Sequence, residues 1–284
     1  MQRQKTLRHM IACVGVGLHS SARVGITLRP ASAGTGIRFR RVDRLGSAAV
    51  PARLDHVVEL GIVEPGPLEL GEATCLGAQP ATSVRMIDHL MAALLVCEID
   101  NVLIEISGPE LPVMDGSAQP FVLLIECAGV QEQAAPVTEI EILEPVEVTE
   151  GRGHARIEPQ DALWLEVRAA EASRSLSLCV TPEACKSELV AARAAGAPAR
   201  FADETSRHAA LRTLADLALI PARLRGRMIS HRADARLRRR LLRSLLARPQ
   251  SWRLHGELPG GLLLGASPAG MQVARLGHGR SRLG

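Results

Sequence analysis

The sequence predicts an α+β protein built as two halves of similar design. Three observations carry this. Short apolar alternations of period two recur in both halves, as in Val24, Ile26 and Leu28 and again in Leu163 to Val167. Each half then turns to helical periodicity and back to a strand. Between them, residues 131–138 are polar and end near Pro136, the best linker in the chain. The halves are therefore residues 1–130 and 139–284, related by a repeat too diverged to see in the letters.

In the first half, Val14, Val16 and Leu18 alternate and face Val24, Ile26 and Leu28 across the turn 19–23. Ile37 to Val42 is a further short strand, and residues 43–82 carry weaker strand signals among Gly, Pro and Glu. Ser83 can cap a helix running through Arg85 to about Cys97, with Met86, Leu90, Ala93, Leu94 and Cys97 on one face. Val102, Ile104 and Ile106 form the next strand, 108–119 a turn-rich loop, and Phe121 to Cys127 a second helix that Gly129 ends. In the second half the strands are Ile140 to Val148, Ala155 to Ile157, Leu163 to Val167 and Leu176 to Val180. Helices follow at roughly 203–220 and 233–247, each stopped by a proline, with a last strand candidate at Leu262 to Leu264.

Composition narrows the function. The chain has 284 residues, 46% hydrophobic and 23% charged, which excludes disordered and fibrous classes. Aromatics are only 2%, with no Tyr, so a platform for stacking single-stranded nucleic acid is not expected. Of 34 cationic residues only Lys5 and Lys186 are lysines, a coding bias that weakens arguments from arginine counts. Six cysteines without C-x-x-C spacing read as buried reduced thiols. No apolar stretch approaches a membrane span, and the N-terminal apolar stretch is too short and glycine-interrupted for a signal peptide, so the expectation is a cytoplasmic protein.

Taken one at a time, the polar motifs leave alternatives open. Asp88-His89 could be a metal ligand beside its general base, or a helix-start aspartate next to a packed histidine. His208 has Arg212 four residues later, where a zinc-binding helix would carry a second ligand on the same face. Asp216, eight residues on, is about 12 Å further along the axis. His231 reads as a lone histidine in a loop ahead of a basic helix. Residues 223–253 hold eleven arginines, which suit an anionic partner or, more simply, a solvated helix face.

The order of the pieces is more telling than any one of them. GVGLHSSARVGITLRPASAGTGIRFRRVD (15–43), SVRMIDHLMAALLVCEIDNVLIEISGPELPVMDGSAQPF (83–121) and RFADETSRH (200–208) together resemble the UDP-3-O-acyl-N-acetylglucosamine deacetylase family, the zinc amidases of lipid A synthesis. The resemblance covers most of residues 1–130 and becomes patchy afterwards, surviving at Ser230-His231 and LLRSLLARPQSW. It implies two two-layer α+β domains, each a mostly antiparallel sheet with two helices, the helices packed between the sheets and zinc at their junction. It also implies a ligand of the UDP-N-acetylglucosamine type. Matched residue by residue, His89 and His208 would be zinc ligands, His231 the acid histidine, and Asp216 the aspartate that orients it.

The departures from the family pattern fall on the chemistry. Asp88 stands where the general-base glutamate belongs, and the lost methylene retracts its carboxylate by about 1 Å, a displacement that can cost about 10²-fold in rate. The third metal ligand is replaced by Arg212, a permanent cation. Ala209 replaces a lysine, and residues 190–201 hold no hydroxyl where a threonine is expected. The insert that forms the family's acyl passage is missing between Ala195 and Arg200, forfeiting roughly 0.8 kcal/mol per methylene it would have buried. A guanidinium within about 4 Å of Zn²⁺ is repelled by several kcal/mol even at an effective dielectric near 20. The sequence therefore predicts weak or absent zinc binding and little native deacetylation. The alternative reading is a non-catalytic paralogue in which Arg212 pairs with Asp88 and the cleft holds a sugar nucleotide or a protein partner.

Overall fold

A computed structural model describes residues 2–58, 74–77, 79, 82–170, 172, 174–194 and 197–256. The strand expected at Leu262 to Leu264 lies outside the described residues.

In chain order the first half contains β1 (Arg3–Leu7), β2 (Ile11–Val16), β3 (Arg23–Pro30), β4 (Ile37–Arg41), β5 (Val50–Pro51), β6 (Val57–Val58), β7 (Cys75–Leu76), β8 (Val84–Arg85), α1 (Asp88–Val96), β9 (Val102–Ile106) and α2 (Gln119–Ala128). Next comes β10 (Val130–Pro136). The second half contains β11 (Glu139–Ile142), β12 (Val146–Glu150), β13 (Gly153–Glu158), β14 (Leu163–Arg168), β15 (Leu176–Cys179), α3 (Pro182–Glu188), α4 (Glu204–Leu217), β16 (Arg223–His231), α5 (Ala235–Leu246) and β17 (Trp252–His255).

The two main sheets share one topology. In the first, β2-β3-β9-β4-β5, every pair is antiparallel except β9 with β4. In the second, β12-β13-β16-β14-β15 repeats that pattern, with β16 and β14 the parallel pair. Strands β11 and β17 extend it beside the start of β16. Thus β9 matches β16, and the helices that precede them, α1 and α4, occupy equivalent places. They pack against each other. Leucine, isoleucine, valine, methionine and alanine fill the core, joined by Phe39 and Phe121.

Helix α1 is buried on almost every side, from Asp88 to Val96 with only Leu95 partly open. A helix wrapped in this way belongs to an interior layer, which is why its sequence lacks a clean polar face. It also starts later than expected. Val84–Arg85 is not helical but pairs with Cys75–Leu76, and Met86 takes a left-handed backbone (φ 61) that redirects the chain into the helix. Gly129 (φ 70) ends α2 as the sequence predicts.

Three further differences have simple causes. The expected linker 131–138 is largely β10, an edge strand paired antiparallel with β1, so its polar residues face water while its backbone is hydrogen-bonded. The single strand expected over Ile140 to Val148 is interrupted between Ile142 and Val146, beside Pro145, which has no N–H to donate to a ladder. Strand β16 is absent from the sequence reading because arginines occupy 223, 225 and 227. Their alternates Leu224, Gly226, Met228 and Ser230 are buried.

All six cysteines are free; Cys75, Cys97 and Cys185 are buried, Cys13 and Cys179 half-buried, and Cys127 exposed. No helix among the described residues is long and apolar enough to cross a membrane.

Candidate functional site

Packing α1 against α4 brings His89, in the first turn of α1, to His208, in the second turn of α4. Their Nε2 atoms are 3.0 Å apart, with ring centroids at 5.3 Å and planes tilted by 49°. At this spacing one Nε2 carries hydrogen and donates while the other accepts, which leaves the second ring protonated on Nδ1. Burial lowers the pKa of both imidazoles, and the positive charge of Arg212 lowers both further; for His208 the fall is well below the ordinary histidine value. Asp88 pulls the other way, for His89 more strongly than Arg212 lowers it, and Asp115 adds to that pull on His89, but burial dominates at both rings. The pair is thus held neutral.

Asp88 is buried beside them. Burial by itself would raise its pKa, but the Arg212 charge, hydrogen bonds from Thr74 and the Arg239 charge outweigh it and keep the carboxyl below its usual range. The Thr74 hydroxyl donates to Oδ1 at 2.5 Å and the Thr74 N–H to Oδ2 at 3.2 Å. Arg239 in turn donates from Nη2 to the Thr74 hydroxyl oxygen at 2.7 Å.

Arg212 sits one turn beyond His208 on the same face of α4, half-buried. Two imidazole nitrogens converge and could flank a cation, but the third position brings a positive charge. Among the described residues no three His, Cys, Asp or Glu side chains converge as a ligand set. Catalytic zinc ordinarily has three protein ligands and an open position. Among the described residues the donors do not fit that site.

Asp216 and His231 are not brought together. Asp216 is buried between two arginines of α5, with Arg238 Nε at 2.7 Å from Oδ2 and Arg239 Nε at 2.9 Å from Oδ1. These two arginines are only 3% exposed, so part of the segment expected to be a solvated basic face is core. His231 is the last residue of β16 and not a loop residue. Strand alternation turns Ser230 inward and His231 to the other face, where its Nε2 is 2.9 Å from Glu166 Oε1 on β14.

The sequence profile described as "UDP-3-O-acyl N-acetylglycosamine deacetylase" matches residues 4–197. The UDP-3-O-acyl-N-acetylglucosamine deacetylase of Idiomarina loihiensis is 30% identical over 89% of this chain and 92% of its own length. That of Phenylobacterium zucineum is 34% identical over 88% and 96%. The protein so named from Methylococcus capsulatus is 42% identical over 57% of this chain and 49% of its own. The chain belongs to the UDP-3-O-acyl-N-acetylglucosamine deacetylase family.

In this family member residues 190–194 and 197–201 lie against the loop that follows β9. Glu204, at the start of α4, accepts from the backbone N–H of Arg193, and from those of Arg200 and Phe201 at 2.7 Å each. Arg200 reaches across to Asp115 at 2.7 Å, and the Ala194 N–H donates to the Gly116 carbonyl at 3.0 Å. Met114 (φ 53) and Gly116 (φ 83) flank Asp115 in left-handed backbone. At the other ends of α1 and α4 a cavity of about 610 Å³ opens between the halves, lined by Leu95, Ile99, Leu217, Ile220 and Arg223. It lies away from the imidazoles.

Thr74, Glu166, Arg238 and Arg239 escaped sequence reasoning as site residues. Thr74 comes from a region with weak strand signals, and Glu166 is one alternating polar residue of a strand. Arg238 and Arg239 did leave a trace. They occupy the helix face shared with Leu241, Leu242 and Leu245, where a solvated arginine does not belong.

Proposed function

We propose that this chain derives from hydrolases that remove the N-acetyl group of an acylated UDP-sugar, and that its zinc site is degraded, leaving weak or no native deacetylation. In this reading His89 and His208 keep the places of the metal-binding imidazoles and Asp88 that of the general base. His231 and Asp216 keep those of the acid and its support, and Arg212 takes the place of the third ligand. The observation that carries the reading is the charge of Arg212, which acts on Asp88, His89 and His208 alike. Where a dication would be gripped by an anion there is a guanidinium, and the carboxylate that would activate water is already engaged by Thr74.

The test is metal analysis of the purified full chain after exposure to zinc and desalting, together with a single-turnover assay on an acylated UDP-N-acetylglucosamine. The expected result is far less than one zinc per chain and no acetate release above background. Stoichiometric zinc with turnover would overturn the reading.

A second reading, a non-catalytic binder of UDP-N-acetylglucosamine-type molecules, is favoured by the satisfied network Asp88–Thr74–Arg239–Asp216, which is suited to holding a shape and not to moving protons. Calorimetric titration with UDP-N-acetylglucosamine decides it, and absence of heat at millimolar ligand rejects it.

A further inference from the structure

Helix α5 turns leucines inward and a line of arginines outward. Leu237, Leu241, Leu242, Leu245 and Leu246 are buried, whereas Arg232, Arg236, Arg240, Arg243 and Arg248 are exposed. Within the helix Arg236, Arg240 and Arg243 are about one turn apart and form a stripe about 10 Å long at 1.5 Å per residue, and Arg232 and Arg248 are exposed just beyond its two ends. The chain's preference for arginine over lysine explains which cation was used, but not why the cations share one side. Asp234 and Glu150 are acids bonded to this segment, and Arg243 Nη2 donates to the Leu54 carbonyl at 3.4 Å. Asp234 caps α5, accepting from the Leu237 N–H at 2.7 Å, and Glu150 pairs with Arg240 at 2.7 Å. Arg232, Arg236 and Arg248 have no carboxylate partner among the described residues. Arg152, exposed on the turn between β12 and β13, adds a further charge at the N-terminal end.

We infer that this stripe docks the protein on the surface of an anionic lipid bilayer. A plane of phosphates suits this arginine-rich side, where the exposed guanidinium groups can form charge-assisted hydrogen bonds. Helix α5 lies flat on β12 and β13, so it cannot enter the groove of a duplex as recognition helices do. The stripe carries no aromatic ring to stack on unpaired bases. Its apolar side is spent on the core, so the contact is peripheral and electrostatic, without insertion.

The test uses the full chain with vesicles of one part phosphatidylglycerol to three parts phosphatidylcholine, at about 0.1 M salt, where the Debye length is near 10 Å. Co-sedimentation is expected with these vesicles and not with phosphatidylcholine alone. The variant Arg236→Gln/Arg248→Gln keeps a good helix former at 236 and should weaken binding about 25-fold, roughly fivefold per arginine. Arg3→Gln/Arg44→Gln removes the same charge from two exposed positions in the other half and should change binding much less. No sedimentation, equal loss in the two double variants, or tighter binding to duplex DNA than to the vesicles would each overturn the proposal.

Discussion

The Nε2 atoms of His89 and His208 lie 3.0 Å apart, each ring delivered by an equivalent helix of the two halves. A tetrahedral zinc with bonds of about 2.0–2.1 Å would hold two such nitrogens only a few tenths of an ångström further apart. The two imidazoles thus stand close to the spacing two zinc ligands would have, with the Asp88 carboxylate and the Arg212 charge both acting on them.

Replacing Arg212 by Asp should restore an anion on the face of α4 that carries His208. Zinc affinity of Arg212→Asp, measured by competition with a chelating dye, is expected to rise at least 100-fold over the parent. Equal affinities would show that position 212 does not govern the metal site.

The buried charges of α4 and α5 make a second prediction. Asp216→Ala strands Arg238 and Arg239, and removing one partner from such a buried group costs about 3–5 kcal/mol. Urea denaturation should show that loss. The triple replacement Asp216→Leu/Arg238→Met/Arg239→Met should recover most of it, because no unpaired charge is left inside. A single variant as stable as the parent would contradict the observed clamp.

Acid should destabilise the fold in two stages. His208 and His89 have pKa values lowered in the folded state, so between those values and 6.5 the unfolded chain binds more protons. Their contribution is complete above about 6.5 and is lost as the pH falls below it. The Asp88 carboxyl, also lowered, contributes fully above 3.8 and loses that contribution on further acidification. Urea midpoints should drop between pH 7 and pH 5.5, and His89→Gln/His208→Gln should flatten that step. A midpoint that rises on acidification would refute the neutral pair.

Thiol chemistry tests the packing independently. Burial pushes Cys97 up to about 11 and Cys185 up to about 12, so neither offers thiolate at neutral pH. A disulfide reagent at pH 8 should modify exposed Cys127 first and reach Cys75, Cys97 and Cys185 only after denaturant is added. Peptide mapping that finds Cys185 labelled as fast as Cys127 would contradict the burial of Cys185 in α3.

Elements whose side chains alternate cleanly were legible from residues alone. Val24, Ile26 and Leu28, and Val102, Ile104 and Ile106, form strands because one face of each meets the core. Strand β16 was not legible, since Arg223, Arg225 and Arg227 mask the buried alternates, and nothing local reveals that Glu166 will pair with Arg227 and His231. Asp88 and His89 could be picked out but not interpreted. Their partners Thr74 and His208 lie 14 and 119 residues away.

The order of motifs, read as sequence, already identified the family, the two helices that bear the histidines, and the arginine at position 212, because residue identity and spacing are properties of the chain itself. Tertiary structure decided which charges meet. Strand alternation turned His231 away from the imidazole pair, and the docking of α5 gave Asp216 to two arginines and left Arg236, Arg240 and Arg243 on its outer side. Such pairings depend on distances across the core, which no local stretch of sequence encodes, and burial away from water is what makes a charged pair there costly to break.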